Sequence, residues 1–413
     1  MAMSPTETVA PSSNTKNTFV RTKPPEASQT SNSSATNHDK PRTAPAPQLF
    51  ESLNDEEKRK YVKALSSDAN AMKDKQVGKG TYADVFVGHF ASSPSTKIAI
   101  KKTRFNAEFK DGISMDTIRE IRALQELRHP NIIALYSVFS SKNQNLNLVL
   151  EYCPRGDLME LIRDTDNVHY GTADIKAWMG MLCRAVWFCH ENFILHRDIK
   201  PNNLLIAADG ELKLADFGLA RSFAEPETRM TYNMITRFYR PPELFYQARH
   251  YSGVVDVWSV GCVMAELVLR FPFIQGDTDI ETANKISETI GTPTEDNWPG
   301  VTQLKAYLAP ANIVPVKRKP FYMDLFSSLG SSGVDLMMSM FVLDPRKRAT
   351  SKQVLQHQWW QQEPRPSRKE DLPKRGGGVE VMGEDLKRRG GELPAEGRAD
   401  KVARKIDFGA MKK

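Results

Sequence analysis

His196-Arg197-Asp198-Ile199-Lys200-Pro201-Asn202-Asn203 is followed thirteen residues later by Asp216-Phe217-Gly218, which closes the apolar run Leu212-Lys213-Leu214-Ala215. The first stretch supplies a carboxylate, a cation two positions on and an amide five positions on. Phosphoryl transfer to a hydroxyl needs those groups: an acid residue to take the proton, a positive charge beside the phosphate, and an oxygen for a hard cation. A carboxylate at a strand end beside a glycine is a further ligand of that kind. Asp-Phe-Gly alone suits any turn. The two motifs in this order and at this distance are not accounted for by turns.

Upstream, Gly78-Lys79-Gly80-Thr81-Tyr82-Ala83-Asp84-Val85 lies between two strand-like stretches. Paired glycines let a backbone approach a polyphosphate with no Cβ in the way. Ala83 replaces the third glycine of the G-x-G-x-x-G pattern, so alone the segment reads better as a plain hairpin turn. Ala99-Ile100-Lys101 changes that, because a lysine on a buried strand needs an anion. Glu120, on the helix that follows, is its natural carboxylate partner. Taken singly it would be a surface residue.

Periodicity extends this core over about residues 73–361. KQVGKGTYADVFVGHF reads as two strands and TKIAIKKTRF as a third. MDTIREIRALQELRHP carries Ile118, Ile121, Leu124 and Leu127 as a helical stripe ended by Pro130, and LNLVLEYC is a further strand. From Asp157 onward the pattern is mostly helical. The expected fold is α+β: a small β-rich lobe (about 73–152) followed by a larger helical lobe (about 153–361).

The flanks differ. Residues 1–50 hold 15 Ser/Thr and 7 Pro, with aromatics only at Phe19 and Phe50, and are expected to be disordered. Residues 51–72 read as a charged helical lead-in. Residues 362–413 turn to Pro, Gly and charge and read as a disordered basic tail. Five of the chain's seven net positive charges fall after Glu363, so the body is not expected to bind nucleic acid by itself. Lys387-Arg388-Arg389 and Lys401 to Lys405 suit a nuclear import signal, an anionic contact or a merely solvated tail. No apolar run is long enough to span a membrane, and no secretory leader is recognised. Cys153, Cys183, Cys189 and Cys262 are expected to stay reduced, in cytosol or nucleus.

In their order these motifs resemble the signature set of protein kinases over about 290 residues. The resemblance implies a two-lobed kinase fold with ATP and Mg²⁺ in the cleft. It makes Asp198 the catalytic base and puts Lys200 on the γ-phosphate. Lys101, paired with Glu120, holds the α/β-phosphates, and Asn203 and Asp216 bind Mg²⁺. Gly78 and Gly80 cover the phosphates. Val77, Val85, Ala99 and Leu205 sandwich the adenine, Leu150 lies behind it, and Glu151 and Cys153 offer hinge backbone groups. Asp157 reaches the ribose, although Pro154-Arg155-Gly156-Asp157 is one residue longer than in close relatives. Pro241-Pro242-Glu243 matches A-P-E with its Ala replaced, and Arg348 falls where it pairs with Glu243.

Asp116-Thr117-Ile118-Arg119-Glu120 resembles the cyclin-contacting helix of cyclin-dependent kinases, and Ile290-Gly291-Thr292-Pro293-Thr294 resembles their C-lobe insert. KDGISMDTIREIRALQELRHPNIIAL and HRDIKPNNLLIAADGELKLADFGLARSF are similar to the cyclin-dependent-kinase-activating family, the catalytic subunit of the transcription factor IIH kinase module. That family is nuclear. Its partners are an H-type cyclin, an assembly factor and the core of that factor. Its substrates are Ser-Pro motifs of the RNA polymerase II C-terminal repeat and, in some lineages, activation loops of other cyclin-dependent kinases. The resemblance implies that the cyclin positions Glu120, and that phosphorylated Thr231 gathers Arg119, Arg197 and Arg221. Thr81 and Tyr82 resemble the inhibitory pair of cell-cycle kinases, though unregulated loop residues fit better. A cell-cycle cyclin-dependent kinase is the rival enzyme. A mitogen-activated kinase requires Thr-x-Tyr where this chain has Thr231-Tyr232. A pseudokinase scaffold requires a missing catalytic residue, and none is missing.

Overall fold

The computed structural model describes residues 76–79, 83–90, 93–103, 114–140, 146–223 and 235–374. Strands β1 (Gln76–Lys79), β2 (Ala83–Phe90) and β3 (Ser93–Thr103) precede helix α1 (Met115–Glu126), and β4 (Leu135–Ser140) and β5 (Leu146–Glu151) follow it. They form one antiparallel sheet in the order β1-β2-β3-β5-β4. Alternation along β3 separates two environments. Ile98 and Ile100 pack with Phe139 and Val149 in a small core of their own. Ala99 joins Leu148 and Leu150 in the main core, and Lys101, two residues on, shares its face. The register sets Lys101 opposite Val85 and Leu148.

Ser114 starts α1, its hydroxyl accepting the Thr117 N–H, and Asp116 adds a negative charge to the first turn. The buried stripe is Thr117, Glu120, Ala123 and Leu124, continued by Leu127. This corrects the expected stripe: Ile118 is exposed and Ile121 only half-buried. The helix is rotated to bring Glu120, rather than the isoleucines, against the sheet.

The helical lobe runs through α2 (Leu158–Arg163), α3 (Thr172–Glu191), β6 (Ile194–Leu195), β7 (Leu204–Ile206), β8 (Leu212–Leu214), β9 (Arg221–Ser222), α4 (Pro242–Phe245) and α5 (Val254–Leu269). It continues with α6 (Asp279–Thr289), α7 (Lys319–Phe326), α8 (Gly330–Met340) and α9 (Ser351–Leu355). Helices α3 and α5 are buried over most of their surface, which is why their sequences are apolar nearly all round. Trp178, Trp258 and Trp359 are the largest fully buried side chains of this core. Arg348 donates to both Glu243 oxygens at 2.6 and 2.8 Å, both side chains wholly buried.

Two small ladders bring the motifs together. β6 pairs with β9, and β7 with β8. The His196–Asn203 stretch therefore leaves β6 and enters β7, while Asp216–Leu219 joins β8 to β9. Thirteen residues of sequence become one cleft floor.

The chain does not leave this lobe at Gln361, as the composition suggested. Residues 362–374 lie along it. Ser367 donates to Asp174 at 2.6 Å, Lys369 pairs with Asp209 and Glu211, and Leu372 is buried. A few specific contacts hold this strap without any apolar periodicity. Residues 1–75 and 375–413 lie outside the described residues, and so do Gly80, Thr81, Tyr82 and Thr231. Of Val77 and Gly78 only the backbone is described. Among the described residues no helix is long and apolar enough to cross a membrane, and the four cysteines are free thiols.

Candidate active site

One wall of the cleft is an ion cluster. Lys101 Nζ donates to both Glu120 oxygens at 2.8 Å and to Asp216 Oδ1 at 3.0 Å. Burial works against the ammonium, but the Glu120 and Asp216 carboxylates more than offset it and hold its pKa above the ordinary lysine value. Burial pushes Asp216 up as well, and Lys101 reverses this, leaving the carboxyl below its usual range. Lys101 and Asp216 therefore stay charged, while burial raises the Glu120 carboxyl above its usual range against the pull of Lys101. Glu120 reaches Lys101 from α1, the helix whose placing the resemblance assigns to a cyclin.

Asp216 sits in left-handed backbone, φ 63°, a conformation that costs a non-glycine residue about 1–2 kcal/mol. Phe217 compensates. It is fully buried and meets the His196 ring edge-on, with centroids 4.6 Å apart. That anchor turns the Asp216 side chain outward, and it stays 47% exposed.

The facing stretch is strained too, with Arg197 at φ 66°. Asp256, on α5, holds it: its carboxylate accepts the His196 and Arg197 N–H groups at 3.0 and 2.9 Å and a third bond from His190 Nε2 at 2.9 Å. His196 Nδ1 accepts the Asp198 N–H at 3.2 Å and its Nε2 donates to the Ala215 carbonyl at 3.1 Å. That pattern requires a neutral ring, and burial lowers its pKa accordingly.

Asp198 is thereby presented with both oxygens engaged. Oδ2 accepts from Lys200 Nζ at 2.7 Å and from Asn203 Nδ2 at 2.9 Å. Oδ1 accepts from the Thr236 hydroxyl at 2.7 Å, and Thr236 in turn accepts from Lys200 at 3.1 Å. Asp198, Lys200 and Thr236 close a ring. Thr236 was not singled out from the sequence. It lies 38 residues from Asp198, with no local pattern to mark it.

The other expected residues are placed as follows. Val85, Ala99, Leu150 and Leu205 belong to one apolar cluster. Glu151 gives its N–H to the Ala134 carbonyl and its side chain to Lys213, at 2.9 and 2.8 Å. Cys153 is half-buried, and burial pushes its thiol up to about 12. Asp157 Oδ1 caps α2, accepting the Glu160 N–H at 2.9 Å, and the carboxylate keeps further acceptor positions for a ligand. Of the three arginines, Arg119 pairs with Asp116 at 2.8 Å. Arg197 donates to the Leu219 carbonyl and the Tyr251 hydroxyl, and Arg221 lies across from Leu195 in the β6–β9 ladder.

A β-rich lobe over a helical one, with a Lys–Glu–Asp cluster facing a tethered carboxylate, defines a protein kinase. The protein kinase domain family matches residues 72–360. Serine/threonine-protein kinase KIN28 of Saccharomyces cerevisiae is 44% identical over 295 residues, 71% of this chain and 94% of that protein. Serine/threonine-protein kinase crk1 of Schizosaccharomyces pombe is 44% identical over 320 residues, 77% and 93% of the two chains. Cyclin-dependent kinase 7 of Xenopus laevis is 40% identical over 310 residues, 75% and 86%. A chain of the CAK complex of Chaetomium thermophilum bound to ATP-gamma-S superposes with a TM-score of 0.73 at 59% identity, covering 80% of this chain and 99% of that one. This chain belongs to the protein kinase family, as a serine/threonine kinase of the cyclin-dependent group that includes KIN28, crk1 and cyclin-dependent kinase 7.

Proposed function

We propose that this chain is the catalytic subunit of a nuclear cyclin-dependent-kinase-activating assembly. It moves the γ-phosphoryl group of ATP to serine in Ser-Pro motifs of the RNA polymerase II C-terminal repeat, and to activation loops of other cyclin-dependent kinases. Its partners in this reading are an H-type cyclin, an assembly factor and the transcription factor IIH core. Neither nucleic acid nor a membrane is a partner of the kinase domain. The observation that carries the reading is the likeness to a CAK complex chain at 59% identity over 80% of this one. Met115 and Ile118, exposed on the outer face of α1 above the buried Glu120, suit an apolar partner there.

Asp198 orients the substrate hydroxyl and takes its proton, and Lys200 neutralises the γ-phosphate. Lys101 holds the α/β-phosphates, and the cluster of Val85, Ala99 and Leu205 receives the adenine. Mg²⁺ fits the donor set, since such an ion keeps water and phosphate oxygens and needs only one or two protein oxygens. Asn203 spends its Nδ2 on Asp198, which leaves Oδ1 as an acceptor, and the outward Asp216 carboxylate supplies the other ligand. The ion, when bound, draws charge from the phosphate oxygens. Phosphorylated Thr231 would draw on Arg119, Arg197 and Arg221.

A preference for proline after the serine follows from Arg240. Its Nε and Nη2 donate to the Ile235 carbonyl at 3.0 and 2.8 Å, one residue from Thr236. A substrate N–H that would seek that carbonyl finds it taken, and proline has no N–H to lose. Reconstituted with an H-type cyclin, the chain is expected to phosphorylate a polymerase heptad-repeat peptide. Activity confined to a histone-type Ser-Pro-x-Lys peptide would sink the transcription assignment.

A further inference from the structure

A cavity of about 370 Å³ lies between helix α3 and the strap that follows Gln361. Met181, Leu355 and Trp360 make its apolar part, and Lys176, Arg184 and Lys369 bring three cations to it. Among the described residues Glu211 is its one lining acid, and Lys369 already takes that carboxylate at 2.9 Å. Arg184 gives its Nε to the Asn131 side-chain oxygen at 3.4 Å. Lys176 is only 1% exposed. Its ammonium donates to the Gln362 carbonyl at 2.7 Å and stands 4.9 Å from the centre of the Trp359 ring. The acids nearby are engaged elsewhere: Glu363 with Arg365 at 3.0 Å, and Asp174 with the Ser367 hydroxyl at 2.6 Å. A buried ammonium met by one carbonyl and a ring keeps two N–H donors and an uncompensated charge, which an anion would satisfy. Gly180 keeps the cavity open. It stands inside α3, where glycine is a poor helix former, and a Cβ there would lie 3.5 Å from Arg184 Nη1 and 3.8 Å from the Trp360 ring. A longer side chain would fill the space between them.

We propose that this cavity is a binding site for a small amphiphilic carboxylate. The two carboxylate oxygens meet the free N–H groups of Lys176 and the edge of Arg184, and the apolar body lies on Met181, Leu355 and Trp360. An apolar lining with a few charged groups to fix orientation is the usual make-up of a small-molecule site. None of these residues takes part in phosphoryl transfer, so the site is distinct from the ATP cleft. Ser367 and Lys369 of the strap form one of its walls. An occupant therefore also ties the strap to α3.

The test titrates 2-naphthoate, and separately its neutral counterpart 2-naphthalenemethanol, into the full chain with its cyclin bound. A non-hydrolysable ATP analogue fills the cleft throughout. Calorimetry should show one saturable site for the acid and about tenfold weaker binding of the alcohol, the scale of one hydrogen bond to a charged group. Lys176→Met keeps the stem and loses the charge, a change that is often neutral for stability at a buried cation. It should weaken the acid about tenfold and leave the alcohol unchanged. Gly180→Leu fills the cavity and should weaken both. The acid should raise hydrogen-exchange protection across residues 366–372 in the wild type and not in Lys176→Met. Absence of saturable acid binding overturns the proposal. So does equal binding of acid and alcohol, which would make the cavity merely apolar. An acid affinity unchanged in both variants overturns it too, since the acid would then sit elsewhere.

Discussion

The Thr236 hydroxyl donates to Asp198 Oδ1 at 2.7 Å while accepting from Lys200 at 3.1 Å. One hydroxyl thus links the segment before Arg237 to the carboxylate at the centre of the cleft. It holds one carboxylate oxygen while Lys200 and Asn203 hold the other, so the group cannot rotate.

Removing that hydroxyl should act on turnover more than on binding. Thr236→Val keeps the shape and loses the bond, and kcat should fall about tenfold to a hundredfold, the range for a hydrogen bond to a charged group. Thr236→Ser should retain most activity. Steady-state kinetics of both variants decide it: an unchanged kcat in Thr236→Val would show that Asp198 is held without it.

Asp198→Asn should cost more. The amide keeps the size but cannot accept a proton, and its NH₂ would oppose Lys200 or Thr236. Loss of a positioned general base is worth about 10²–10⁴ in rate. Turnover of the cyclin-bound variant should drop accordingly with ATP binding preserved. Activity near that of the wild type would remove Asp198 from the base role.

The four thiols should be inert in the folded chain. Burial pushes Cys153 and Cys183 up to about 12 and raises Cys189 and Cys262 as well. The thiolate is the reactive form. At pH 8 a pKa of 12 leaves about a thousandfold less of it than an ordinary thiol has, and the fraction grows tenfold per pH unit until the pKa is reached. Half-buried Cys153 should therefore react with a disulfide reagent slowly, and faster at pH 9 than at pH 8. All four should react at once in denaturant. One rapid equivalent in the native protein would contradict this.

Much of the site could be read in advance because its parts are local. Asp198, Lys200 and Asn203 stand two and five positions apart on one loop, and Asp216 begins the next, so spacing alone places them together. Lys101 was marked by its charge within an apolar strand. Thr236 was not readable, since its partner lies across the cleft and a threonine before an arginine suggests nothing. The stripe on α1 was misjudged because hydrophobic periodicity ignores ion pairs: the attraction of Lys101 for Glu120 turns the helix, and Ile118 goes to the surface. The resemblance makes Arg119, Arg197 and Arg221 partners of a phosphate on Thr231, which lies outside the described residues; without that phosphate Arg119 rests on Asp116 and Arg197 on the Leu219 carbonyl.

The strap after Gln361 escaped the sequence for a different reason, and it can be tested. Its polar composition reads as tail, yet at Gly210 it passes so close that an added Cβ would fall on the Lys369 carbonyl, and Gly210 is itself at φ 91°. Only glycine fits there. Lys369 Nζ lies over the same turn, 2.7 Å from Asp209 and 2.9 Å from Glu211. Gly210→Ala meets both the steric block and the left-handed backbone, the latter alone worth about 1–2 kcal/mol. It should strip hydrogen-exchange protection from the segment around Ser367 to Leu372. Lys369→Ala removes partly exposed ion pairs worth about 1 kcal/mol or less and should loosen the strap only in part. The order of the two effects decides between packing and charge. If Lys369→Ala frees the strap and Gly210→Ala leaves it protected, the ion pairs hold it and close backbone contact at Gly210 does not.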